Sequence, residues 1–185
     1  MGNFLKKLSL KQILICLFWV CVSALVAFRL IGQPADSFIA AFSAYLVVLA
    51  AAVIDFKTHK IPNILPLALC ILRILISVIL SLLGRTEWSE LVGYLIGGII
   101  MLLILLLAGK IAKGGIGGGD VKLLSALTFV CGLYIGTYTL LLALLLTLVW
   151  FGVRRLRNIG TPKDRIPFGP FICIGYASVC ILHLF

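Results

Sequence analysis

Leu102-Leu-Ile-Leu-Leu-Leu-Ala-Gly-Lys-Ile-Ala-Lys-Gly-Gly-Ile-Gly-Gly-Gly-Asp120 is the stretch on which the reading of this chain turns. An apolar run breaks at Lys110 and Lys113, crosses five glycines within residues 114–120, and meets a carboxylate where the next apolar run begins. Glycine adopts either sign of φ and lets another backbone approach closely, at an entropic cost. A plain linker has no need of that density, nor of one of only six acidic residues in 185.

Working outward, composition sets the medium. The chain is 63% hydrophobic and 12% charged, where a soluble domain is about half apolar and a quarter charged. Mean hydropathy is +1.24. The apolar runs approach the ~20 residues of a helical span and lack the ~10-residue alternation of barrel strands. The fold expected is all-α: a polytopic membrane protein of six or seven transmembrane helices, with no separate soluble domain. The spans fall at residues 12–31, 37–56, 62–83, 91–108, 120–133 and 139–153, with 171–185 as a possible seventh. The fifth is short, so it is expected to tilt or to begin inside a water-accessible cleft. Residues 33–36 and 134–138 are read as turns, Pro62 as part of the third span's first turn, and Trp88 as an interfacial aromatic. Two units follow: residues 1–36, a basic segment and the first helix, and residues 37–185, the helical domain. The first run is too long for a signal-peptide core, so it is read as a retained helix.

The net charge of +10 lies between the spans, which argues for membrane topology and against nucleic-acid binding. Lys6, Lys7, Lys11, Lys57, Lys60, Lys110, Lys113, Lys122, Arg154, Arg155, Arg157, Lys163 and Arg165 fall on one side; only Arg29 and Arg85 fall near the other. The bias puts the N-terminus, Asp55 and Asp120 at the cytoplasmic face. Six cysteines lie within apolar runs with no Cys-x-x-Cys pair, so they are read as small buried hydrophobes and no metal site is expected. His59 is read as a solvated loop histidine. No cofactor is expected.

Asp36, Glu87, Glu90 and Asp164 lie in loops, whereas Asp55 and Asp120 lie at helix ends on one side of the membrane. Two such carboxylates can hydrolyse a peptide, one activating water while the other, protonated, polarises the scissile carbonyl. The helix dipole favours charge on Asp120, at a helix start, and the proton on Asp55, at a helix end. Two other readings stand beside this one: carboxylates resting at the interface, and an ion or proton relay in a non-enzymatic membrane component.

Three motifs then carry a resemblance. Asp55-Phe-Lys-Thr-His-Lys-Ile-Pro-Asn63, Gly114-Gly-Ile-Gly-Gly-Gly-Asp-Val-Lys-Leu-Leu124 and Ile166-Pro-Phe-Gly-Pro170 resemble, in order, the first-aspartate, Gly-x-Gly-Asp and C-terminal motifs of prepilin peptidases. The resemblance covers the chain from about residue 37 onward. It implies a GxGD aspartyl endopeptidase with Asp55 and Asp120 as the catalytic pair. The implied substrate is a type IV prepilin or pseudopilin, cut on the cytoplasmic side after a Gly that precedes its apolar segment. Longer members carry a tetra-cysteine segment between their first two spans and also methylate the new N-terminus. Here that stretch is residues 32–36, which argues against methyltransferase activity. The short form is similar to tight-adherence pilus and archaeal preflagellin peptidases; a peptidase acting on other membrane substrates is a further possibility.

Gly117, Gly118 and Gly119 are candidates for binding an extended substrate backbone, with tight helix packing as the alternative. Lys122 is expected to snorkel to headgroups, and Lys60, Arg154, Arg155 and Arg157 to hold anionic lipid. Pro167 and Gly169 suggest a kinked entry to the last helix. Arg73, about 18 Å past Ile61 along a helix, falls near mid-membrane, where it could pair with a carboxylate, face a water cavity or snorkel.

Overall fold

The computed structural model describes residues 10–31, 34–111, 116–157 and 167–182. The expectations attached to Lys6, Lys7, Lys113, Gly114, Gly115, Lys163, Asp164, Arg165 and Ile166 lie outside the described residues. All the principal elements within them are helices: α1 (Leu10–Leu30), α2 (Ala35–Thr58), α3 (Ile64–Leu82), α4 (Trp88–Ile111), α5 (Gly118–Cys131), α6 (Leu133–Leu156) and α7 (Gly169–Ile181). Among the described residues, four segments are long and apolar enough to cross a membrane: Ser37–Thr58 within α2, then α3, α4 and α6. The chain is an all-helical, polytopic membrane protein.

The short helix α5 occupies the interior. It packs against α2, α3, α4 and α6, and from Val121 to Val130 every residue but Lys122 is buried. It is thus a span wrapped by its neighbours. Helix α7 packs against α1, α2 and α6. Lipid tails are as apolar as Leu, so close helix contact in a membrane depends on small residues and dispersion. Ala40, Ala41, Ala44, Ala51 and Ala52 supply such a face on α2. Gly98 does so on α4, where a Cβ would lie 2.9 Å from Phe129 Cβ. Hydroxyls inside the bundle bond back to their own helix, Ser125 to the Val121 carbonyl (2.7 Å) and Thr128 to that of Leu124 (2.8 Å). Such back-bonding leaves neither hydroxyl unsatisfied away from water.

Two local expectations are corrected. Residues 134–138 do not turn the chain; they lie in α6. The whole connection from α5 to α6 is Gly132, at φ +93°, a conformation that glycine adopts without a Cβ clash. Tyr134 and Tyr138 then meet edge to face, 4.5 Å between centroids, as residues four apart on a helix do. Nor does Pro62 belong to the first turn of α3. Asn63 is the N-cap, Pro62 precedes it, and Pro66 occupies the first turn, where a missing N–H costs nothing.

Gly98→Val is expected to force α4 and α5 apart and destabilise the bundle by about 1–3 kcal/mol. Gly93, whose added Cβ would meet nothing within 4 Å, provides the control Gly93→Ala. Thermal unfolding in detergent should show a lowered midpoint for the first and a near-native one for the second; equal midpoints would contradict this account of the packing.

Candidate active site

Asp55 lies in the last turn of α2, which ends at Thr58. His59, exposed in the left-handed conformation (φ 52°), closes that helix, and its N–H donates to the Asp55 carbonyl at 2.8 Å. This is a C-cap in which a non-glycine residue takes the αL position. It turns the chain toward Ile61–Asn63 without lengthening α2.

The Asp55 side chain is buried, only 5% exposed. Its Oδ2 accepts the backbone N–H of Gly169 at 2.8 Å. Gly169 is the first residue of α7, behind the N-cap Phe168, with Pro170 following. A Cβ at Gly169 would lie 2.9 Å from Asp55 Cβ and 3.0 Å from Oδ2. The contact therefore requires a residue without a side chain. The expected irregular entry to the last helix thus has a definite duty: an N–H otherwise orphaned at a helix start is delivered to a carboxylate.

Asp120 stands in the first turn of α5, three residues after the N-cap Gly117. Its side chain folds back over the cap, so that a Cβ on Gly117 would lie 2.6 Å from Asp120 Oδ2. Asp120 Oδ1 is buried and makes no hydrogen bond with any described residue. Asp55 is close enough to act electrostatically on the Asp120 carboxyl. The two carboxylates singled out in the sequence therefore come together, one from the end of α2 and one from the start of α5.

Local donors run against the expectation drawn from the helix dipoles. Asp55 receives a main-chain N–H, which favours its charged form. Asp120 Oδ1 receives none, and a buried unpaired carboxylate oxygen is costly. A direct hydrogen bond outweighs the partial charge at a helix terminus, so the donor lies on the carboxyl that the dipoles alone would leave without one.

The three glycines before Asp120 have different surroundings. Gly117 makes room for the Asp120 carboxyl, and Gly119 packs on Ile61, where a Cβ would lie 3.0 Å from Ile61 Cβ. Gly118 faces open space, with nothing within 4 Å of an added Cβ. Lys122 does not simply reach for headgroups: its Nζ donates to Asn63 Oδ1 at 3.0 Å, tying α5 to the segment that follows Asp55. Sequence reasoning missed both Gly169 and Asn63 as supports of the pair. The motif Ile166-Pro-Phe-Gly-Pro170 marked the neighbourhood of Gly169, but nothing in it names the acceptor.

Among the described residues, no cluster of three or more His, Cys, Asp or Glu is arranged to hold a metal ion. The Cys131 thiol lies 3.1 Å from the Tyr176 hydroxyl, which also donates to the Ala41 carbonyl. That contact joins α5, α7 and α2 away from the carboxylates.

Comparison with known proteins adds one finding. No curated protein and no solved structure matches the chain. The model of the type IV leader peptidase family matches residues 42–152, a range that takes in Asp55, the segment before α3, the glycines and Asp120. With more than half of its length matched, the chain belongs to the type IV leader peptidase family.

Proposed function

We propose that the protein is a membrane aspartyl endopeptidase that removes the leader of type IV prepilins or prepilin-like proteins at the cytoplasmic membrane face. Asp55 and Asp120 are its catalytic pair. The observation that carries this reading is their meeting across α2 and α5 with unequal hydrogen bonding. One has an N–H donor from Gly169; the other has a buried oxygen without a partner among the described residues.

In this reading Asp55 is the base. Held by Gly169, it takes a proton from a water that attacks the scissile carbonyl. Asp120 holds a proton and donates it to the carbonyl oxygen as charge develops there. Collapse of the tetrahedral intermediate returns a proton to the leaving amine and resets the pair. The backbone at Gly117–Gly119 contacts the unwound substrate, with Gly118, the one facing open space, as the nearest point of approach. The excess of basic residues on the Asp55 side supports an N-terminus and active site on the cytoplasmic side of the inner membrane.

The direct test is co-expression with a prepilin bearing a basic leader and a Gly before its apolar helix. Wild type should give a leader-sized mobility shift. Asp55→Asn and Asp120→Asn should each slow cleavage by about 10²–10⁴-fold at normal protein levels. Cleavage surviving either change at a near-native rate would remove that residue from the dyad, and a transport or assembly role would then take its place.

Gly169→Ala supplies a second prediction. Its methyl would collide with Asp55 and turn the carboxylate away from the N–H, so kcat should fall by at least about tenfold with KM little changed. Unchanged kcat in a folded variant would show that the N–H contact does not position the base.

A further inference from the structure

The short connection from α2 to α3 also grips the first turn of α5. Its near end is fixed on α2. Thr58 Oγ1 donates to the Ile54 carbonyl at 2.9 Å and accepts the Lys60 N–H at 3.3 Å. Its middle lies against α5, where a Cβ on Gly119 would stand 3.0 Å from Ile61 Cβ and 3.4 Å from the Ile61 carbonyl oxygen. Its far end is Asn63, whose Oδ1 accepts from Lys122 Nζ at 3.0 Å. Gly119 and Lys122 are three residues apart and so share a face of α5, ~4.5 Å apart along its axis. One contact fixes a distance, whereas two on one face fix both the axial position of a helix and its rotation. Asp120 lies one residue, or ~100°, around the axis from Gly119. The rotation of α5 therefore sets the direction in which the Asp120 carboxyl leaves it.

Asn63 is the N-cap of α3, yet its side chain makes no capping bond. An N-cap carboxamide ordinarily accepts the N–H of the second or third helical residue. Here the second, Leu65, donates to the Pro62 carbonyl at 3.2 Å. The third is Pro66, which has no N–H. Asn63 also has helical dihedrals, φ −62° and ψ −18°, in place of the extended ones usual at a cap. Its Oδ1 is thereby left for another helix, and Lys122, which can only donate, takes it. Lys122 is in turn the exposed residue in the otherwise buried run from Val121 to Val130.

We propose that Lys122 and Asn63 are positioning residues of the peptidase, which hold the Asp120 carboxyl in register with Asp55. This assignment rests on the reading of the two aspartates as the catalytic pair. Lys122 acts through Asn63 and not on the carboxyl, because residues two apart on a helix do not face each other. The bond is exposed, and exchange with water offsets most of its energy. Its effect is on orientation, where a displacement of ~1 Å can cost about 100-fold in rate.

The test is prepilin cleavage by the purified full-length protein. Lys122→Met should lower kcat about tenfold with KM changed less than about twofold, at a near-native thermal midpoint. Lys122→Arg, which keeps a donor, should recover most of the rate. Asn63→Leu should match Lys122→Met, and Asn63→Asp, which keeps the acceptor, should stay near wild type. Lys122→Met combined with Asn63→Leu should be no slower than the slower single variant, since both changes break one bond. Lys110→Met, at an exposed lysine in the last turn of α4, controls for loss of a basic side chain and should cleave normally. A wild-type rate in Lys122→Met, an equal loss in Lys122→Arg, or effects that multiply in the double variant would overturn the proposal.

A second measurement needs no substrate. Amide hydrogen exchange in the segment from Gly117 to Leu124 should be about two- to threefold faster in Lys122→Met and Asn63→Leu than in wild type, the response to losing one weak hydrogen bond. Unchanged exchange would overturn the clamp whether or not a prepilin is cleaved. Failure of wild type to cleave, or cleavage by Asp55→Asn, would count against the peptidase reading alone.

Discussion

A helix shorter than the membrane, enclosed by other helices, is the constraint on which the rest of this structure depends. The 14 residues of α5 rise about 21 Å, against a hydrocarbon core of about 30 Å. Gly98 on α4 faces Ser125 and Phe129, so antiparallel packing sets Asp120 beside the stretch from Leu103 to Leu107. That is about four to eight residues, or ~6–12 Å, short of the end of α4. The start of α5 is therefore recessed. Its first N–H groups have no side-chain cap, and unsatisfied backbone is not tolerated in lipid. Such groups need protein or water around them, and water is also what a hydrolytic reaction inside a membrane requires.

The other half of the site is built by termini as well. Asp55 lies in the last turn of α2 and Gly169 opens α7, and the contact between them is main chain to side chain. Each component comes from a helix end, where N–H and C=O groups are free to be used. The helix bodies carry the apolar packing and their ends carry the polar chemistry. The lipid-exposed surface of α4 and α6 can then stay uniformly apolar, as Leu103, Leu107, Leu144 and Leu148 are.

Much of this was legible in residue order. Long apolar runs announced helices, and the scarcity of acidic residues left Asp55 and Asp120 as the pair on the side where the basic residues gather. Other features were not, for physical reasons. Lipid-facing and protein-facing Leu read alike, because neither contacts water, so the interior place of α5 left no trace in hydropathy. The turn at Gly132 was misplaced because a one-residue connection has no run of breakers to mark it. The link from Lys122 to Asn63 joins residues far apart in sequence. The support at Gly169 is an N–H that almost every residue type carries. The dipole argument for the proton left out a donor for the same reason: that N–H lies on another helix.

Gly132 has a consequence that concerns the distance between the carboxyls. Asp120 begins α5, and one residue welds α5 to α6. Helix α6 meets α7 at Gly175, where a Cβ would lie 2.9 Å from the Thr139 carbonyl oxygen. Helix α7 in turn grips Asp55 through its first N–H. The two aspartates are thus joined twice, once directly across α2 and α5 and once around a ring of helices. A closed linkage has no loose end: displacing either carboxyl strains every joint of the circuit, so the gap between them is a property of the whole bundle rather than of two side chains.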